Sequence, residues 1–515
     1  MNRIRQCLLV MTLAVFTAWA QPEPMSGKTA LQFLSDVKIG WNLGNTMDAL
    51  RQLSGQDTVA LETAWGRPPA TQELFNGVIE SGFDLARIPV TWTGHIGPAP
   101  DYKLSEERLA RVAEIVGYAK TAGAKAVIIN VHHDGHGNNH ASWLRMSNVI
   151  TRGTTNVNTA VKNELQDKLS KVWTQIAEYF KDYGDYLIFE VMNEVHAGGW
   201  GDDASSASYQ NEQDVLFDWS QAALNAIRAT GGNNIARFVA VPGLGGTEPN
   251  VVQRAHNRGK LIPNDGGNGT DKLIVKAHFY TPKPYTVNIA ATNARHTWGA
   301  QTDIDQLNTN MNILKTLFID EGIAVYIGEC GAPTNRRATL GVNVGGVAIT
   351  REHQENHIDY MSSVAKTMRT NSIIPVFWDD GGNFKILERS TTPAGTTAGK
   401  PLPGGFAAEV LDEMMTELAD ITSIKTRPTA AAVQNAQWSI SRANGGVYLR
   451  GPASVESARV FLYDIRGRQA GKYNYVNNQP VIMNNQKISK GNYFLVVRNI
   501  SSGKQVYKTK LAIVN

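Results

Sequence analysis

The sequence predicts an α/β fold, a closed (β/α)8 TIM barrel followed by a small all-β domain. Three observations carry that prediction. Eight short apolar runs recur along the chain, each followed by a polar turn and then a stretch with helical spacing. The runs are unbroken rather than alternating, as parallel strands buried on both faces require. Residues of chemical type gather just past these runs, on what would be one end of a barrel.

The elements follow in order. Arg3 and Arg5 precede the apolar stretch Cys7 to Ala18, and Ala18-Trp19-Ala20 gives a small-x-small cleavage pattern. Residues 1–20 therefore read as a signal peptide, and an exported, secreted or cell-surface protein is expected. Without the two leader arginines the formal charge falls from +4 to +2, and the basic residues are scattered rather than striped, so no nucleic-acid partner is expected. No later run reaches the ~20 apolar residues of a membrane span. Cys330 is the one cysteine after the leader, which leaves no internal disulfide and puts stability on the core.

The barrel is assigned to residues 21–424. Its runs are Val37 to Trp41, Leu85 to Pro89, Ala126 to Val131, Leu187 to Val191, Phe238 to Val241, Leu273 to Ala277, Ala324 to Gly328 and Ile374 to Phe377. Between them lie helices such as the one opened by Ser105 and closed before Gly123, with Leu109, Val112, Ile115, Val116 and Ala119 on one face. An open doubly wound sheet shares this rhythm, but eight units over about 390 residues favour closure. A helix from about Phe406 to Leu418 ends the barrel, a linker spans 425–436, and 437–515 reads as a β-sandwich.

A barrel does its chemistry at the C-terminal rim. Past the runs stand Asn42 and Asn45, His132 and His133, Asn193 and Glu194, His278 and Tyr280, Glu329, and Trp378 with Asp379 and Asp380, and Arg87 stands in the second run itself. Two of these are carboxylates on different strands, Glu194 in "FEVMNEVH" and Glu329 in "YIGECGA". Glycosidic cleavage needs one protonated acid for the leaving oxygen and one ionised carboxylate for the anomeric carbon. Asn193, Arg87 and the histidines can donate to hydroxyls, Tyr280 can hydrogen-bond the nucleophile, and Trp378 can stack on a pyranose. Trp65, Trp92, Trp200 and Trp298 either extend a groove or anchor loops.

The segments "IGWNLGNT", "ETAWGRP", "ARIPVTW", "INVHHD", "EVMNEV", "HFYTP", "HTWG", "IGECG" and "FWDDGG" occur in an order that resembles glycoside hydrolase family 5 over roughly residues 30 to 420. Within the family the pattern is similar to the endoglucanase branch that includes xyloglucan- and mixed-linkage-glucan-cleaving enzymes. The resemblance implies a retaining endo-β-1,4-glucanase without a cofactor or metal, acting on plant cell-wall β-glucan. It makes Glu194 the proton donor and Glu329 the nucleophile. It places Arg87, His132, Asn193, His278, Tyr280 and Trp378 around them, with Asn45 and His133 lining substrate subsites. Lys283 and Pro284 depart from the branch, which usually carries Trp and an acid there; Asp380 stands where Asn is common. The tail segments "VFLYDIRGRQ", "KGNYFLVVRN" and "YKTKLAIVN" resemble a type IX secretion sorting domain, which implies the secretion machinery as a partner; the alternative is a carbohydrate-binding module, for which only Trp438 offers a large platform. A monomer is expected.

Three rivals remain open on the sequence. A metal-dependent hydrolase would use the cluster of His132, His133, His136 and His140, although adjacent strand-end residues should point apart and share an ion poorly. A thiol hydrolase would use Cys330 with His278. A polysaccharide-binding barrel that does not cleave would need neither carboxylate.

Overall fold

The computed structural model describes residues 21–421 apart from 54–57, 136–141, 290–292, 393–394 and 420, and beyond them mainly the strands between 439 and 513. The leader, the linker, Trp438, His136 and His140 lie outside the described residues. The chain divides into two compact units, Met1–Thr426 and Arg427–Asn515.

In the first unit eight parallel strands close into a barrel, and each corresponds to one of the eight apolar runs. They are β1 (Gly40–Asn42), β2 (Leu85–Ile88), β3 (Ala126–Asn130), β4 (Leu187–Glu190), β5 (Val239–Pro242), β6 (Leu273–Phe279), β7 (Ala324–Cys330) and β8 (Ile374–Phe377). β1 pairs with both β2 and β8, which rules out the open sheet. A principal helix follows each strand: α1 (Gln72–Glu80), α2 (Glu106–Ala122), α3 (Thr159–Tyr179), α4 (Tyr209–Ala229), α5 (Pro249–Asn257), α6 (Gln301–Leu317), α7 (Arg351–Thr370) and α8 (Phe406–Ala419). The caps follow local chemistry. In α2 the Ser105 hydroxyl accepts the Arg108 N–H, and Gly123 ends the helix at φ 103°, a left-handed turn that glycine adopts without strain.

Two strands run longer than their apolar runs. β6 continues through His278 and Phe279, and β7 through Glu329 and Cys330, so His278 and Glu329 lie within strands rather than past them. β7 carries one extra residue, Gly328: Ile327 faces Ala277, while Glu329 faces His278. Such a bulge re-aims the side chain that follows it. A Cβ at Gly328 would come within 3.2 Å of the Tyr326 ring and 3.3 Å of His278, and the Gly328 carbonyl is taken up by Asn42 Nδ2 at 2.9 Å. A side chain here would push the Tyr326 ring or His278 aside by a few tenths of an ångström.

The second unit forms two antiparallel sheets. β9 (Ser439–Ala443), β10 (Gly446–Arg450) and β13 (Val481–Asn484) make one; β11 (Ser457–Asp464), β12 (Gln469–Val476), β14 (Gly491–Asn499) and β15 (Gln505–Ile513) make the other. No described helix is long and apolar enough to cross a membrane.

Candidate active site

Strand register assembles the site before any side chain is considered. It sets Asn42 beside Arg87, Asn130 beside Glu190, and His278 beside Glu329. All six are buried, so their polar groups must find partners inside the protein.

At the floor of the mouth sits Glu190, fully buried. Arg87 grips it with two parallel bonds, Nε to Oε2 at 2.8 Å and Nη2 to Oε1 at 2.7 Å. Tyr326 donates its hydroxyl at 2.7 Å and Asn130 its amide at 2.9 Å, and the Lys276 ammonium lies 3.6 Å away. Burial alone would raise this carboxyl, but Arg87 and Lys276 with these bonds hold it down at about 2. Arg87 spends its other donors on Asn42 Oδ1 (2.9 Å), Asn193 Oδ1 (2.7 Å) and Glu329 Oε1 (3.0 Å). It has no exposed surface, so its N–H groups orient protein carboxylates and amides rather than reach sugar hydroxyls.

Above this floor stand Glu194 and Glu329. Burial raises Glu329, and Arg87 and Lys276 pull it back; Tyr280 also donates its hydroxyl to Oε2 at 3.1 Å. Glu194 has one hydrogen-bond partner among the described residues, His278 Nδ1 at 2.8 Å. Burial, then the charge of Glu329, push it up to about 8. One oxygen of each carboxyl and a ring nitrogen of His278 lie within 4.8 Å of one another. Two carboxyls this close do not ionise together, and Glu329, with a cation and a phenol on it, holds the charge.

The remaining expected residues surround the pair. His132 is buried, and its Nδ1 meets Asn130 Nδ2 at 3.1 Å. That amide also donates to Glu190, so Nδ1 is the acceptor and the ring proton sits on Nε2, toward the mouth. Burial holds this imidazole neutral, well below its usual range, and does the same to His278. Asn193 Oδ1 accepts from Arg87 and Lys276 (3.2 Å), which puts its NH2 3.5 Å from the His132 Nε2–H, two donors that do not bond each other. Trp378 lies parallel to His132 at 6.0 Å, 3° off coplanar. Asn45 occupies a left-handed turn at φ 57° just past β1. Of the tryptophans, Trp65 is 38% exposed and 5.5 Å from the His133 ring, and Trp200 is 40% exposed, whereas Trp92 and Trp298 are buried loop anchors.

One expectation about the rim histidines is corrected, and one rival reading falls away. His132 and His133 do not diverge: their rings meet edge to face at 4.4 Å, and one nitrogen of each lies within 4.8 Å of an Asp48 oxygen. Strand alternation fails there because the chain has left β3 and begins a 3-10 turn at His133. Cys330 is fully buried, its thiol is pushed well up by burial and by Glu329, and it points to the Val376 carbonyl at 3.7 Å, so it is no nucleophile. Asp379 likewise serves the fold: it accepts from Trp41 Nε1 and from the Gly381, Ile386 and Leu387 amides.

Sequence reasoning missed Glu190, Lys276, Tyr326, Asn130 and Asp48. A signal was present for two of them, since Glu190 and Lys276 are ionisable groups inside otherwise apolar runs, where a charge must be paired.

A closed barrel with two unlike carboxyls facing each other at its C-terminal end is the arrangement of a glycoside hydrolase. The chain belongs to glycoside hydrolase family 5: the family model described as Cellulase (glycosyl hydrolase family 5) matches residues 47–383. Its relatives include Endoglucanase B of Clostridium cellulovorans, 34% identical over 353 residues, which span 68% of either chain. A xyloglucan-specific endo-β-1,4-glucanase of Bacteroides ovatus is 30% identical over 71% of this chain and 68% of its own. Among solved structures, a broad specificity endoglucanase from Bacteroides salanitronis superposes with a TM-score of 0.64 at 34% identity, over 79% of this chain and 98% of that one. The protein is a glycoside hydrolase of endoglucanase type.

Proposed function

We propose that the protein is a secreted, retaining endo-β-1,4-glucanase that cleaves internal bonds of cellulose, xyloglucan or mixed-linkage glucan. The single observation that carries the mechanism is the spacing and inequality of Glu194 and Glu329, whose nearest oxygens lie within 4.8 Å of each other while Arg87 and Tyr280 bond to Glu329 and His278 to Glu194. Retention needs carboxyls about 5–5.5 Å apart, and inversion needs about 6.5–9.5 Å to admit a water between them.

Glu329 attacks the anomeric carbon while Glu194 gives its proton to the leaving oxygen; the C–O bond breaks and a glycosyl ester forms on Glu329. Esterification removes the negative charge that raised Glu194, so its carboxyl becomes more acidic and is suited to take a proton from water in the second step. That water attacks the ester carbon, and Glu329 leaves as carboxylate. Arg87 and Tyr280 hold Glu329 during attack, and the His132 and Asn193 N–H groups face the glycone hydroxyls.

Export rests on the leader pattern at Ala18-Trp19-Ala20, and sorting on the tail segments within β11, β14 and β15, with the protein acting as a monomer. The test of function is hydrolysis of xyloglucan, lichenan and carboxymethylcellulose by the wild type with and without EDTA, beside Glu194→Gln and Glu329→Gln. Activity that survives EDTA and is lost in both variants supports the mechanism. Loss with chelator would move the chemistry to the Asp48, His132 and His133 cluster.

A further inference from the structure

Glu194 follows β4 and Glu329 is the last residue but one of β7, so the two carboxyls divide the rim into unlike arcs. The arc through β8, β1, β2 and β3 carries Trp378, Trp65, His132 and His133, with aromatic faces and ring N–H groups. The arc through β5 and β6 carries charge. A cavity of about 360 Å³ opens there between the loops and helix α6, lined by Asp202, Glu248, Asn250, Thr281 and Lys283, with Gln306 and Asn310 of α6 and two prolines completing its wall and no aromatic ring.

The walls of that cavity are tied together and to the catalytic pair. Lys283 Nζ on the loop after β6 meets Asp202 Oδ2 on the loop after β4 at 2.5 Å. Glu248, only 8% exposed, accepts the Thr281 hydroxyl at 3.3 Å and the backbone N–H of Tyr280, whose own hydroxyl reaches Glu329. The charges of Glu248 and Lys283 both act on Glu194. A proton donor sits against the oxygen that leaves, so a cavity whose walls adjoin the donor receives the leaving half of the chain.

We propose that the pocket of Asp202, Glu248 and Lys283 is a leaving-group site that recognises a neutral, hydroxyl-rich glycosyl unit by hydrogen bonds to charged side chains instead of by stacking. The proposal rests on the glucanase mechanism above. Hydrogen bonds to ionised groups are roughly twice as strong as neutral ones, so hydroxyls find firm partners without a flat platform. Two acids against one lysine disfavour a carboxylate-bearing sugar there, since unpaired like charges are costly to bring together. Burial sets Glu248 at about 7 despite the pull of Lys283, so near neutral pH it both donates and accepts.

The experiment compares cellopentaose, whose leaving group is a sugar, with nitrophenyl β-cellotrioside, whose leaving group is a phenol. Lys283→Ala, Asp202→Asn and the double variant change partly exposed side chains, and a thermal melt checks each fold. The expected kcat/KM on cellopentaose falls about 5- to 20-fold more than on the aryl glycoside in the double variant. Equal losses on both substrates, or no loss on cellopentaose in a folded variant, overturn the proposal. Wild-type protein inactive on both substrates defeats the glucanase mechanism itself, a different outcome from either.

Discussion

Glu190 and Glu194 belong to the same strand and the short loop that extends it, and both are packed near Arg87 and Lys276; yet Glu190 lies at about 2 and Glu194 at about 8. Burial raises both. What separates them is charge first and donors second: the charges of Arg87 and Lys276 hold Glu190 down, helped by two N–H groups of Arg87, the Asn130 amide and the Tyr326 hydroxyl, whereas the charge of Glu329 pushes Glu194 up and, among the described residues, His278 is its one hydrogen-bond partner. The floor of the barrel mouth is thus a saturated ionic network, and the rim above it is left one proton short of neutralised. The first holds the geometry that the second uses.

The largest expected break in this contrast is at the rim. Glu194→Gln and Glu329→Gln each lower kcat on a soluble β-glucan by about a thousandfold, read by reducing-sugar assay, while the fold persists. At the floor the consequence inverts. Glu190→Ala leaves Arg87 and Lys276 buried without their shared counter-charge and costs about 3–5 kcal/mol of stability in urea unfolding. Because the Glu190 pKa is depressed, its contribution is present above about 4.5 and fades as pH falls toward 2, so the gap between wild type and variant narrows in acid.

Glu194 carries the opposite sign. Its raised pKa means that stability is lost as pH rises from about 4.5 through 8, so Glu194→Gln is roughly 1–3 kcal/mol more stable than wild type at pH 9 and no more stable at pH 4. On the proposed mechanism the same titration removes the proton that Glu194 gives, which puts the alkaline limb of wild-type kcat/KM, the profile of the free enzyme, near pH 8. The smallest effect is Tyr280→Phe. Loss of one donor to the Glu329 carboxylate lowers kcat about 5- to 10-fold and moves the acidic limb of the pH profile to higher pH.

The barrel was legible because its strands are buried on both faces and therefore read as apolar strings, from Gly40 in β1 to Phe377 in β8. The strand ends were less so. His278 and Glu329 look like turn residues until partners from other strands, Glu194 and Arg87, make their burial affordable. Arg87 was expected to face substrate, and no spacing rule shows that every one of its donors is claimed inside the protein. The meeting of His132 with His133 depends on a 3-10 turn that alternation cannot foresee. The rim carboxyls were found because chemistry required two of them; Glu190 was overlooked because its neighbours are apolar.

The most direct measurement is covalent trapping. The wild type is incubated with a fluorinated cellotriosyl fluoride that forms the ester faster than water removes it, then digested and analysed by mass spectrometry. The expected result is a single glycosyl adduct on the peptide that carries Glu329, absent in Glu329→Gln. An adduct on Glu194, or steady turnover with no adduct at any carboxyl, contradicts the assignment of Glu329 as nucleophile and Glu194 as proton donor.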